Sequence, residues 1–159
     1  MSNLLDIEVL NHNNQSVTLR SYLSGANVSQ NKPKYLVLYF YPKDNTPGCT
    51  TEACEFRDAT ADLVRAGALV LGVSADSVDS HQKFVSKHSL SFELLSDPEH
   101  KLLEAFGVWG EKKFMGKLFM GVTRSTFLLD SSGKIIKAWH KVKPVGHAQE
   151  VLVTINSLK

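Results

Sequence analysis

The chain has 159 residues, of which 43% are hydrophobic and 21% charged, and its formal net charge is +2. These values are typical of globular proteins, and we expect one domain over residues 1–159 with its own core. So small a charge, with no basic stripe along a helix, argues against a nucleic-acid-binding protein. We predict no secretory signal, because the N-terminal residues MSNLLDIEV contain neither a basic n-region nor an apolar h-region. No membrane span is predicted either, because no apolar stretch approaches roughly 18 residues, and we expect a cytoplasmic protein.

The first elements predicted are strands. Apolar and acidic residues alternate between positions 5 and 9, which predicts a half-buried strand with residues 16–19 as its hairpin partner. A polar loop over 25–34 leads to the run YLVLYFY at 35–41. Such a continuous apolar and aromatic run is typical of a central strand that is covered on both faces.

A long helix is predicted next, over residues 47–66. Thr46 is a suitable N-cap, Pro47 fits the first helical position, and Gly67 is a natural residue just past the end. The run ALVLGVS at 68–74 then predicts a second buried strand.

The remaining elements complete an α/β pattern. They are a helix capped by Asp76 or Asp79 and ending near Lys87, a strand at 92–96, a short helix opened by Asp97, a hairpin of 126–130 with 134–140, and a helix at 148–158. This order predicts a mixed central β-sheet flanked by helices on both faces, with an N-terminal β-hairpin.

Two groups of polar residues are given an ordinary structural interpretation. Lys112, Lys113 and Lys117 form the densest basic stretch and are predicted to lie in a solvated loop. His81 and His88 are predicted to lie on the exposed face of a helix.

The only two cysteines, Cys49 and Cys54, lie five residues apart near the start of the long helix. Helical residues at this spacing have Cα atoms roughly 8.6 Å apart, whereas a disulfide tolerates at most about 7 Å. The two thiols therefore either never bond or bond only after the first turn unwinds. The helical wheel places Cys49 on the core face and Cys54 outside it.

Several kinds of thiol site fit this pair, and the residues alone leave them open. A helix N-terminus stabilises an anion, which favours a reactive thiolate at Cys49. Its sulfenic acid could then condense with Cys54. Two inert core cysteines are the plain alternative. A zinc site or a thioredoxin-type centre is disfavoured, because both use C-x-x-C pairs.

The segment YPKDNTPGCTTEACEFRD at 41–58 resembles the active-site region of the peroxiredoxins, and specifically the peroxiredoxin Q or bacterioferritin comigratory protein subfamily. The family motif P-x-x-x-[TS]-x-x-C is met by Pro42, Thr46 and Cys49. The likeness continues through LGVSADSVDSHQKF, FELLSD and RSTFLLD, and covers nearly the whole chain. Two departures are a start without the usual Gly and Ala-Pro, and a rather long loop at 25–34.

The resemblance implies a thioredoxin-like fold and a role for each matching residue. Cys49 corresponds to the peroxidatic cysteine and Cys54 to the resolving one. Thr46 would hydrogen-bond the thiolate and the peroxide, and Arg124 would supply positive charge. Pro42 would shield the sulfur from water, and Glu52 would orient Arg124.

The activity that the resemblance implies is reduction of hydrogen peroxide and alkyl hydroperoxides by an atypical 2-Cys mechanism. An intramolecular Cys49–Cys54 disulfide would be recycled by thioredoxin or a similar dithiol protein, with no metal, haem or flavin. Because both cysteines lie in one chain, a dimer is not required, and the resemblance favours a monomer. A redox sensor or relay, which passes oxidation to a partner protein, is the alternative function for the same thiol pair. A holdase-like or structural protein with inert thiols is a further one.

Overall fold

The computed structural model describes residues 3–26 and 32–158. Within them lie nine strands and five α-helices, in the order β1 Val9–Asn11, β2 Ser16–Val17, α1 Leu19–Leu23, β3 Tyr35–Phe40, α2 Pro47–Arg65, β4 Ala68–Ser74, α3 Val78–His88, β5 Glu93–Ser96, α4 Lys101–Ala105, β6 Trp109–Phe114, β7 Lys117–Val122, β8 Ser125–Asp130, β9 Ile135–His140 and α5 His147–Asn156. The predictions about the start of the chain and the loop at 25–34 fall partly on residues outside these ranges.

Seven strands form one mixed sheet in the order β2-β1-β5-β4-β3-β8-β9. The three central strands β5, β4 and β3 run parallel, and each strand outside them pairs antiparallel with its inner neighbour. This confirms the predicted mixed sheet, and the N-terminal hairpin of β1 and β2 extends it at the edge.

Alternate residues of β3 supply two cores, one on each face of the sheet. Leu36, Leu38 and Phe40 pack into the core that includes α1 and α4. The residues between them, Val37 and Tyr39, pack into the core that includes α2 and α5. This alternation confirms that the aromatic run is a strand covered on both faces.

The N-terminal strands are shorter than the sequence predicts. Leu4–Asp6 form a 3-10 helix, with the side chain of Asn3 accepting a hydrogen bond from the amide of Leu5. The partner strand ends at Val17, and Thr18 then caps α1 through a reciprocal hydrogen-bond pair with Ser21. Local capping therefore outcompetes strand pairing at both ends of the predicted hairpin.

The prediction of a solvated loop around Lys112, Lys113 and Lys117 is wrong. These lysines lie in β6 and β7, which, within residues 3–26 and 32–158, pair only with each other as a separate antiparallel hairpin. Met115 and Gly116 form its turn, and both have positive φ angles, of 51° and 80°. Tight hairpin turns require such angles, and the Met-Gly pair is a weaker signal for them than Asn-Gly.

The helix α3 begins with a cap other than those expected, and the N-cap residue of α4 is His100, three residues after Asp97. The N-cap of α3 is Ser77, whose side chain accepts from the amide of Ser80, so neither Asp76 nor Asp79 has that role. Asp97 lies before α4 as predicted, and its carboxylate accepts from the amides of residues 101 and 103 at 3.0 and 2.9 Å.

Among the described residues, no helix combines the length and apolarity needed to cross a membrane.

Candidate active site

The site forms where β3 ends and α2 begins, at the edge of the sheet to which the parallel strands point. Cys49 is the third residue of α2 and is only 1% exposed. It packs in the same core as Ala53 and Phe56, which confirms the face predicted from the helical wheel. Cys54 is half-buried, and both thiols are free.

Arg124 reaches this sulfur from a distant part of the chain. It lies between β7 and β8, and its Nη2 is 3.3 Å from Cys49 Sγ. Its carbonyl oxygen accepts a hydrogen bond from the amide of Val142 at 2.9 Å, which holds the backbone in place. The guanidinium is thus a charged hydrogen-bond donor in direct contact with the sulfur.

Glu52 holds the other side of the same guanidinium. Its Oε1 accepts from Arg124 Nη1 at 2.8 Å, and the carboxylate side chain is 0% exposed. This ion pair supports the expectation that Glu52 orients Arg124. Within the described part of the chain, its second oxygen Oε2 is buried without a hydrogen-bond partner.

The two charges respond differently to burial. Burial raises the pKa of Glu52 to about 7, although Arg124 acts in the opposite direction. Burial also disfavours the charge on Arg124, but the nearby Cys49 and Glu52 outweigh this effect and raise its pKa above the ordinary value. Arg124 is therefore a permanent cation, whereas Glu52 is poised to titrate close to neutrality.

Thr46 is the N-cap residue of α2 by backbone position, as predicted, but its side chain does not cap the helix. Instead its hydroxyl donates to the carbonyl oxygen of Lys43 at 2.8 Å. With its proton directed away, the hydroxyl oxygen presents lone pairs to a neighbouring donor.

Besides Pro42, a second proline, Pro144, lies against the start of α2, and no motif in the sequence predicts this contact. Pro42 is exposed at the surface, so its shielding of the sulfur stays a prediction. Pro144 packs beside Gly48, where an added Cβ would lie 3.4 Å from Pro144 Cγ and 3.2 Å from Arg124 Nη2. The absence of a side chain at Gly48 leaves room for both.

Cys49 and Cys54 lie in one continuous helix, Pro47–Arg65. At this helical spacing the Cα separation is roughly 8.6 Å, which exceeds the reach of a disulfide. The conformation described here is therefore the one in which Cys49 faces Arg124, and bonding to Cys54 requires α2 to unwind.

The prediction that His81 lies on an exposed helix face is wrong. His81 is 0% exposed, and its Nδ1 lies 2.7 Å from Asp44 Oδ2. His88 is half-buried. The helical spacing of His81 and Phe84, three residues apart on one face, was the available signal for burial.

Another buried histidine, to which the sequence analysis assigned no role, lies on α5. His147 Nε2 is 2.7 Å from Thr126 Oγ1, and its ring packs edge-on against Phe56 and Trp139. Burial lowers its pKa, partly offset by Glu150. These contacts tie α5 to β8 and α2.

Comparison with known proteins agrees with this geometry. The AhpC/TSA family matches residues 2–138. Peroxiredoxin Bcp of Bacillus subtilis is 50% identical over 153 residues, which cover 96% of this chain and 92% of that protein. Peroxiredoxin Bcp of Escherichia coli is 44% identical over 126 residues, which cover 79% and 81%.

Solved structures give the same result. The bacterioferritin comigratory protein of Xanthomonas campestris, studied for its alkyl peroxide reduction activity, superposes with a TM-score of 0.86 at 40% identity, covering 98% of this chain and 93% of that one. Peroxidoxin BcpB of Mycobacterium tuberculosis has a TM-score of 0.83 at 31% identity, covering 99% and 96%. The chain therefore belongs to the AhpC/TSA family and is a thiol-dependent peroxidase of the peroxiredoxin Q, or bacterioferritin comigratory protein, subfamily.

Proposed function

We propose that Cys49 is the peroxidatic residue. Its thiolate attacks the terminal oxygen of a hydroperoxide, the O–O bond breaks, and an alcohol or water leaves after taking up one proton. The sulfur is oxidised to a sulfenic acid and the peroxide is reduced. The single observation that carries this proposal is the contact of 3.3 Å between Cys49 Sγ and Arg124 Nη2 in a buried site.

The proposed role of Arg124 is to stabilise charge on the sulfur and on the leaving oxygen. Its position is set in advance by the ion pair with Glu52, so little reorganisation is needed when the charge moves. Thr46 then has a specific part, because its hydroxyl proton is directed to Lys43. Its lone pairs accept a hydrogen bond from the peroxide O–H and orient the peroxide.

Cys54 is proposed as the resolving residue. After the start of α2 unwinds, the Cys54 thiol condenses with the sulfenic acid, which releases water and forms the Cys49–Cys54 disulfide. An external dithiol protein reduces this disulfide by exchange through a mixed disulfide, and we propose thioredoxin for that role. Pro42 is proposed to limit access of water to the sulfur from the exposed side of the turn.

Alkyl hydroperoxides are proposed as substrates together with hydrogen peroxide. The support is the likeness to the Xanthomonas campestris protein, whose alkyl peroxide reduction has been studied. Because Cys49 is buried, the site favours hydroperoxides that have little steric bulk around the terminal oxygen.

A peroxidase assay coupled to thioredoxin and its reductase tests the mechanism on three proteins. The wild type should turn over steadily, and Cys49→Ser should be inactive. Cys54→Ser should consume one equivalent of peroxide and then stop, because its sulfenic acid has no resolving partner. Steady turnover by Cys54→Ser would show that another thiol resolves Cys49 directly.

A redox relay is the second candidate function, since the same thiol pair can pass oxidation to a partner. The two functions differ in the fate of the oxidising equivalents. A peroxidase should consume many equivalents of peroxide per chain with thioredoxin, whereas a relay should accumulate a mixed disulfide with one partner protein and consume about one.

We also propose that the protein is a cytoplasmic monomer made of one domain. The resolving cysteine lies in the same chain, so the cycle needs no second subunit, and both cores share the seven-stranded sheet. Light scattering after size-exclusion chromatography, on the reduced and the oxidised protein, tests the oligomeric state. A mass of twice 17.6 kDa in both forms would contradict the monomer.

A further inference from the structure

A buried hydrogen-bonded cluster anchors the turn between β3 and α2. Asp44 lies in the middle of this turn, and its carboxylate side chain is 3% exposed. Oδ1 accepts from Tyr41 Oη at 2.5 Å, and Oδ2 accepts from Ser80 Oγ at 2.8 Å. His81 Nδ1 lies 2.7 Å from the same Oδ2. Three groups thus converge on one buried carboxyl.

His81 connects this carboxyl to the sheet. Its Nε2 lies 2.9 Å from the carbonyl oxygen of Leu95 in β5. A carbonyl oxygen only accepts, so Nε2 carries a proton. The Nδ1 contact of 2.7 Å links the other side of the ring to Asp44 Oδ2. His81 therefore bridges β5 and the turn through two hydrogen bonds, both shielded from water.

The backbone of the turn is held from the same side. The amide of Asp44 donates to Asp76 Oδ2 at 2.8 Å, and that oxygen also accepts from Ser74 Oγ at 2.6 Å. The next residue, Asn45, has a φ of 63°, while its side chain accepts from Lys87 Nζ at 3.1 Å. A non-glycine residue keeps this left-handed conformation only where its surroundings hold it.

We infer that His81 is a positioning residue for peroxide reduction, and that it acts through Asp44 on the turn that carries Pro42 and Thr46. This inference rests on the proposed function, because it assigns His81 to the same site. Pro42 and Thr46 lie two residues to either side of Asp44, so the placement of both follows from how this carboxyl is held.

The anchors also explain how the site survives the redox cycle. They come from α3, from the loop between β4 and α3 and, through His81, from β5. The start of α2 is therefore free to unwind for the disulfide while the turn keeps its shape. After reduction, Cys49 returns to a turn that is already in place.

Asp44, Asp76 and His81 also have the donor types of a metal site. Their facing atoms, however, are already engaged in hydrogen bonds with one another and with neighbouring hydroxyls. The cluster is accordingly satisfied by its own groups.

Two substitutions separate the two ends of the histidine. In His81→Asn, the side-chain amide lies near the position of Nδ1 and keeps the link to Asp44. In His81→Gln, the amide reaches the position of Nε2 and keeps only the link to Leu95. Both variants lose the ring, so either one serves as a control for the loss of core volume.

The informative readout compares two reactions of Cys49 in a Cys54→Ser background. Reaction with hydrogen peroxide needs the turn, whereas alkylation by iodoacetamide needs only an accessible thiolate. In His81→Gln, we expect the peroxide rate constant to fall about tenfold or more relative to the alkylation rate constant, because ångström-scale misplacement of reacting groups is costly. In His81→Asn, this ratio should stay within about threefold of the parent value, since its amide keeps the group that holds the turn in register.

A purely structural role would lower the melting temperature of both variants and leave that ratio unchanged, which would overturn the inference. Equal ratios in the Asn and Gln variants would overturn it too. Should His81→Gln fail to fold, Ser80→Ala removes one of the three donors to Asp44 at a less buried position and must lower the same ratio. Thr46→Val tests the underlying function. If this variant leaves the ratio of the peroxide to the alkylation rate constant unchanged, the proposed role of Thr46 is wrong. If the ratio falls in Thr46→Val but not in His81→Gln, only the proposed role of His81 is wrong.

Discussion

At Cys49, reactivity depends on two groups that come from different parts of the chain. Cys49 lies in the first turn of α2, and Arg124, 75 positions away, donates to its sulfur at 3.3 Å. Glu52 fixes the guanidinium from the side. The chemistry therefore arises from a helix terminus combined with one distant, preorganised cation.

Arg124→Met should lower the rate constant for Cys49 oxidation by peroxide by about 10²–10³, the range typical for loss of one preorganised donor at developing charge. Stopped-flow kinetics under single-turnover conditions measures it. Arg20→Gln is the matched control, because Arg20 forms an exposed ion pair with Asp6 far from the site. A similar loss in both variants would point to a general effect of charge and not to this contact.

Glu52 should make stability depend on pH. Because burial raises its pKa from 4.5 to about 7, the folded protein holds a proton between these values that the unfolded chain releases. The contribution of Glu52 to stability therefore falls as pH rises from about 4.5 to 7 and is constant above 7. Glu52→Gln removes this slope, so its stability relative to wild type should rise over that window by about 2–3 kcal/mol, at 1.36 kcal/mol per unit. Urea unfolding at pH 5 and pH 8 measures the difference, and parallel changes in both proteins would contradict it.

At the scale of the element, α2 has two incompatible tasks. As a helix it buries Cys49 beside Arg124, and it holds the two sulfurs too far apart to bond. Only its first turns need to change, because Phe56 and Leu63 are fully buried further along. We therefore expect the C-terminal half of the helix, which these two side chains anchor, to stay on the sheet while the N-terminal part unwinds.

Hydrogen–deuterium exchange should show this division. We expect faster amide exchange over residues 48–56 in the oxidised protein than in the reduced one, with little change beyond Leu63. The Cys54→Ser variant treated with one equivalent of peroxide is the control, since it cannot form the disulfide and should keep reduced-like exchange. Equal protection of residues 48–56 in reduced and disulfide forms would refute the unwinding.

At the scale of the whole molecule, close contacts between neighbouring strands determine how α2 packs on the sheet. Gly72 in β4 lies opposite Tyr39 in β3. A Cβ at this glycine would lie 2.8 Å from both Leu94 Cδ2 and Tyr39 Cζ. Tyr39 in turn stacks on Phe56 of α2 at 4.8 Å between ring centroids. The absence of a side chain at Gly72 therefore leaves room for the Tyr39 ring, against which α2 packs through Phe56.

Gly72→Ala should destabilise the fold by about 1–3 kcal/mol, the usual cost of overpacking a well-packed core. Gly110→Ala is the matched control, since Gly110 also lies in a strand but an added Cβ would meet no described atom within 4 Å. Denaturant unfolding of both variants tests this. Equal stability of the two would mean that the core adjusts to the extra methyl group.

Several secondary-structure elements of this protein can be predicted from its local sequence. The strand over YLVLYFY, the helix that starts at Pro47 and the opposite orientations of the two cysteines follow from periodicity and capping. The hairpin of β6 and β7 was not predicted, because its lysines and apolar residues do not alternate regularly enough to indicate strands. The two strands pair with each other and not with the central sheet. The short N-terminal elements were misassigned for a similar reason, since single caps decide them.

The amino-acid sequence alone determined the family resemblance and the relative orientation of the two cysteines on α2. Spacing along a helix converts directly into geometry, so no tertiary contact is needed for this prediction. The tertiary structure decided what meets Cys49 and what holds the turn before it. Arg124 reaches the sulfur only because β8 lies beside β3, and His81 is buried only because α3 packs over the same strand ends. Contacts between distant segments depend on how the whole chain packs, and no local pattern encodes them.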